Sequence, residues 1–163
     1  MHGPVKRWTA AAAVAGAVLV GSAGNLTAQG GGNRQAADPP VVAYRKAMMR
    51  SNSAHVNSLR ALLSGDLDLP AHVLRHTAAL EANGKIFAHI FPEGSSHASS
   101  RSMDEIWTKK DEFAAQVTAF ADATRTLNRV AQRGFNDQTL AALTPVRQSC
   151  GACHTAFRKP AAQ

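Results

Sequence analysis

The residues best suited to chemistry lie close to the end of the chain, in Cys150-Gly151-Ala152-Cys153-His154. These are the only two cysteines among 163 residues. The C-x-x-C-H spacing is that of covalent c-type haem attachment. On a helix, positions i, i+3 and i+4 share one face. Two thiols so placed can bond to two vinyl groups on one porphyrin edge, and the imidazole that follows can reach the iron from the same side. Other readings of the pentad fit less well. A structural zinc site needs four ligands, and His55, His72, His76, His89 and His97 are scattered. A thioredoxin-like C-x-x-C expects a βαβ setting, and no strand pattern surrounds this one. A disulfide across three residues would leave His154 unexplained.

The elements that must position the pentad read as helices. Residues 1–28 have the form of a secretory signal peptide: Lys6 and Arg7 precede an apolar stretch from Trp8 to Val20, and small residues follow. The stretch is short for a membrane span, so cleavage after Ala28 is preferred to cleavage after Ala23 or to an uncleaved anchor. Bacterial haem c is attached outside the cytoplasmic membrane, so export and the pentad belong together. Residues 29–37 are Gly-rich and polar, a flexible leader, and residues 38–160 form the folded domain. A first helix is expected over Pro39–Ser64, with Asp38 as cap, Gly65 just past its end and an inward stripe of Val42, Arg45, Met49, Asn52, Val56, Leu59 and Leu63. A second runs over Pro70–Ile90 with Val73, Thr77, Leu80, Gly84, Phe87 and Phe91 inward, and Pro92 stops it. The polar loop 93–101 follows. A third helix is expected from Ser102, capped by the Ser102-Met103-Asp104-Glu105 box, with Ile106, Phe113, Val117, Phe120, Thr124, Leu127 and Ala131 as its stripe and Gly134 at its end. A fourth runs from Asn136 to about Lys159 with Leu140, Leu143, Cys150, Cys153 and Phe157 inward, expected as one helix kinked at Pro145. Four amphipathic helices with short connections and no strand signal make an all-α, antiparallel four-helix bundle.

Composition bounds the partners. The net charge is +7, falling to +5 when Lys6 and Arg7 leave with the signal peptide. The basic residues are dispersed and carry no aromatic-studded stripe, so a solvated surface is favoured over nucleic-acid binding. Such a surface can steer an acidic redox partner. His72 and His76 stand at i, i+4 and could clip a surface metal, although two ligands make a weak site. Tyr44 and Trp107 are read mainly as packing.

The pattern resembles the class II c-type cytochromes, which include cytochrome c′ and its low-spin relatives. The resemblance spans about Val41 to Lys159. Its pieces are Tyr44-Arg45-Lys46-Ala47-Met48-Met49, Phe91-Pro92-Glu93-Gly94-Ser95, Glu105-Ile106-Trp107, and the pentad continued to Arg158. A haem motif on the last helix, joined to Tyr-Arg-x-x-x-Met on the first, is specific to this family. The resemblance implies one haem c held by Cys150 and Cys153, with His154 as proximal iron ligand. It implies Arg158 beside the proximal face, Arg45 near the haem propionates, and Met49 facing the distal side of the iron. Lys46 stands where the family often has Gln, and Ser102-Met103-Asp104 replaces a frequent Ala-x-Pro.

Met49 divides the functional readings. With its sulfur on iron the haem is six-coordinate, its potential is raised and electron transfer is favoured. With Met49 only packing, the iron is five-coordinate and open to nitric oxide or carbon monoxide. The adjacent Met48 points about 100° away around the helix and is expected in the core or an interface. The preferred expectation is a periplasmic monohaem one-electron carrier with His154/Met49 ligation, monomer or homodimer, not inserted in a membrane after cleavage, and not an enzyme. The alternative is five-coordinate gas binding.

Overall fold

The computed structural model describes residues 37–64 and 67–161. The expected signal peptide, most of the leader and the Gly65 cap lie outside the described residues. Four long helices dominate: α1 (Pro40–Ser64), α2 (Pro70–Ile86), α4 (Lys110–Ala131) and α5 (Asp137–Phe157). A one-turn helix α3 (Glu105–Thr108) precedes α4, and a 3-10 turn, Phe87–Ile90, ends α2. Helix α1 packs on α2 and α5, and α4 packs on α2 and α5. The four long helices thus close into a bundle, in the all-α class that their 3.6-residue periodicity dictates.

The stripes meet as their spacing requires. Val42, Leu59, Val73, Leu80, Leu127, Leu143 and Val146 are buried almost completely. Gly84 sets the spacing of α2 and α4, since a Cβ there would lie 2.6 Å from Thr124 Oγ1 and 3.2 Å from the Ala121 backbone. Asn136 caps α5, its side chain accepting from Gln138 N and Thr139 N.

Four local expectations are corrected. Ser102 does not cap a helix: it forms an antiparallel bridge with Arg158, and Met103 N donates to Phe157 O at 3.0 Å. These long-range bonds outcompete the local box and hold the chain extended until Asp104. The third helix is consequently broken at Lys109 (φ −109°, ψ 58°), which lets Ile106 and Phe113 share one cluster with Phe157. Asp38, expected as a cap, accepts from Lys46 Nζ instead. Leu140 is 41% exposed rather than inward. The rotation that buries Leu143, Val146 and Phe157 brings Thr139 under the core in its place. Pro145 lies on the exposed side of α5, which continues through it as one helix.

Candidate haem site

Two adjoining cavities of about 240 and 400 Å³ open between α1, α4 and α5. Both are lined by Met49, Ser53, Cys153 and His154, and Cys150 lines the smaller one. Thus α5 presents both thiols and the imidazole on one face, three and four residues apart, and α1 faces them with Met49. Met48 is buried in the core cluster, while Met49 is partly buried and packs against its edge. The 100° step per residue separates the two methionines as expected.

The electrostatics suit a bound prosthetic group. Cys150 and Cys153 are free thiols. Burial pushes both up, Cys153 to about 11, with neighbouring Cys150 adding to its shift. Burial, then the charges of Arg158 and Arg101, hold His154 below the usual imidazole range. The neutral imidazole is the form that ligates a metal.

A feature the sequence did not reveal is the continuity of the cavity walls. Phe120, Phe87, Phe91, Phe113 and Phe157 form an unbroken chain, with successive ring centroids 5.1, 5.8, 5.0 and 5.3 Å apart, within the range of favourable aromatic pairing. Each ring was visible as one point on a stripe, but the chain crosses between elements. A flat apolar macrocycle fits against such a wall. Asn52 also lines the smaller cavity; its Oδ1 accepts from Asn83 Nδ2 at 2.7 Å.

The cationic residues gather on the other cavity. Arg45, Lys46, Arg50, Arg101 and Arg158 all line it, with no acidic residue among its lining. Arg50 and Arg101 escaped the sequence reading because nothing local marks them. Arg45 is only 3% exposed and serves the loop. Its Nε donates to Ile90 O at 2.9 Å, its Nη2 to Ser95 Oγ at 2.5 Å and its Nη1 to Ser102 Oγ at 3.2 Å, over the Phe91 ring at 4.6 Å. A buried guanidinium needs every donor matched, and the 90–102 segment supplies the acceptors. Lys46 is paired with Asp38 at 2.8 Å. Arg158 ends α5 beside His154.

Two thiols and an imidazole on one face, an apolar wall and a cationic rim define a haem protein of the c type on a four-helix bundle. Residues 40–158 match the family model described as Cytochrome C′. The chain is 33% identical over 119 residues to the cytochrome c′ of Pararhodospirillum photometricum, covering 72% of this chain and 95% of that one. It is 29% identical over 121 residues to a cytochrome c-556 of Agrobacterium tumefaciens, covering 72% and 95%. A carbon-monoxide-bound variant of cytochrome c′ from Alcaligenes xylosoxidans superposes with a TM-score of 0.70 at 25% identity, over 77% of this chain and 98% of that one. The chain belongs to the cytochrome c′ family, whose cofactor is covalently bound haem c.

Proposed function

We propose that the chain binds a small gas, nitric oxide or carbon monoxide, at a five-coordinate haem. Cys150 and Cys153 would hold the haem by thioether bonds and His154 would ligate its iron. The bound group supplies an iron that takes up one electron and one diatomic ligand. The observation that carries the reading is the position of Met49. Its side chain packs on the core and forms a cavity wall with Val56, Phe87 and Phe120. A largely apolar wall of that kind suits a small uncharged molecule better than an ion. The carbon-monoxide-bound relative supports the same reading.

The remaining residues hold and screen the group. Arg50, Arg101 and Arg158 offer cationic partners for propionates. Arg45 and Lys46 reach the same rim, Arg45 through its Ser102 bond, one of its longer contacts. The chain is exported behind a signal peptide over residues 1–28 and works in the periplasm. Its cationic rim faces an acidic redox partner that returns the iron to the ferrous state.

A second reading is the expected electron carrier, with the Met49 sulfur on iron. It draws support from the shared cavity of Met49 and His154 and from the cytochrome c-556 relative. Absorption spectra of the purified haem-loaded protein and of Met49→Leu separate the two. Gas binding predicts a high-spin spectrum in both and rapid uptake of carbon monoxide when reduced. A low-spin spectrum with a sulfur-to-iron band, lost in Met49→Leu, assigns the chain to electron transfer.

A further inference from the structure

Away from the haem site, α1 and α2 bring His55 and His76 together. Their Nδ1 atoms lie 2.9 Å apart, and the ring centroids are separated by 5.2 Å. Both side chains are half-buried, so the rings are held by the helix packing and still reach solvent. The i, i+4 spacing of His72 and His76 had suggested a clip along α2. The structure instead pairs His76 across the bundle with His55.

We propose that His55 and His76 form a binding site for a divalent transition-metal ion, with both Nδ1 atoms as cis ligands and water completing the coordination. The separation selects the geometry. Two nitrogens 2.9 Å apart, each about 2.0–2.1 Å from a metal, subtend about 90° at it. That is the angle of square-planar and octahedral sites, as in Cu²⁺ and Ni²⁺. A tetrahedral Zn²⁺ at the same bond length needs its nitrogens about 3.3 Å apart. A cis pair on Cu²⁺ or Ni²⁺ keeps the nitrogen separation while the rings turn to bring both lone pairs onto the ion, whereas Zn²⁺ also needs the two nitrogens further apart.

The protonation chemistry agrees. Without metal, one imidazole donates its Nδ1 proton to the other across the 2.9 Å contact. On binding, the donor ring's proton moves to its Nε2, so a neutral pair takes up the ion with no net proton release.

Titration of the haem-loaded protein by calorimetry, with Ni²⁺ and Zn²⁺ in turn, tests the site. Copper outranks zinc at any nitrogen site, so nickel against zinc is the informative comparison, and Cu²⁺ serves for electron paramagnetic resonance. One Ni²⁺ per chain is expected, bound more tightly than Zn²⁺, with two-nitrogen hyperfine structure on bound Cu²⁺. His55→Ala and His76→Ala should each weaken Ni²⁺ by at least about 10-fold. His89→Ala, on an exposed position elsewhere, should leave it unchanged. His55→Gln, which keeps a polar contact to His76, covers the case in which the alanine variant unfolds, and an unaltered haem spectrum reports folding. Unchanged affinity in either pair variant, or tighter binding of Zn²⁺ than of Ni²⁺, overturns the proposal.

Discussion

Two stretches of one helical seam are filled in opposite ways. At Leu59, Leu80, Leu127 and Leu143 the four long helices close on each other, and no residue of the four is more than 2% exposed. A polar clamp ties this end: Thr77 Oγ1 donates to Asn128 Oδ1 at 2.9 Å, and Asn128 Nδ2 donates to Glu81. Two turns away, at Met49, Val56, Phe87, Phe120 and Cys150, the same helices stand apart around open volume. The apolar periodicity runs unchanged through both. The difference lies in what completes the packing: leucine side chains at one end, a prosthetic group at the other. Protein interiors are close-packed, so a group that fills the open end should stabilise the bundle.

That contrast breaks first at the thiols. Cys150→Ser with Cys153→Ser removes the attachment of the group that fills the open end. Most of the roughly 5–15 kcal/mol typical of a domain should be lost, and thermal melting by circular dichroism should lose its cooperative step. A melt like that of the parent protein would show that the open end needs no filling. The next effect contrasts the two ends directly. Leu127→Ala in the closed seam should cost about 2–5 kcal/mol, whereas Val56→Ala on the cavity wall should cost about 1 kcal/mol, having less apolar surface buried. Denaturant titration of both haem-loaded variants measures the gap, and equal costs would erase the distinction.

Gly84→Ala probes the helix spacing that the two ends share. The new Cβ meets Thr124 Oγ1 and the Ala121 backbone, and a loss of about 1–3 kcal/mol is expected from overpacking. The smallest effect concerns pH. The Lys85 ammonium and the Asn128 amide hold the Glu81 carboxyl below its ordinary value of 4.5. A group depressed on folding stabilises the folded state above its unfolded pKa and loses that contribution as pH falls through its folded one. Stability should therefore decline with acidification below about pH 4.5, and Glu81→Gln should flatten that decline slightly. Only one carboxyl is involved, so the change is near the limit of an acid-denaturation series.

Much of this was legible in the chain. The stripes of α2 and α4, and that of α1 apart from Leu62, which is buried where Leu63 was expected, were read correctly because burial follows the 3.6-residue period once a helix is amphipathic. The Asn136 cap and the Met48/Met49 division are likewise local. The errors arose where a distant partner outbid a near one. Ser102 satisfies every rule of a capping box, yet it joins the strand-like bridge to Arg158 because α5 ends there. Asp38 gives up its capping role to Lys46. Apart from these errors, Arg45, which the resemblance sets near the propionates, also donates to Ile90, Ser95 and Ser102, residues no spacing rule connects to it.

The sequence by itself determined the cofactor and the class of fold. Covalent haem attachment depends on three side chains within five residues, and helicity on patterns within a few turns, so both are written locally. Only the tertiary structure decided which residues surround the haem site. It joined five phenylalanines into one wall, drew dispersed arginines to one rim and set His55 against His76. These contacts depend on the rotation and separation of helices distant in the chain, which the whole core settles together.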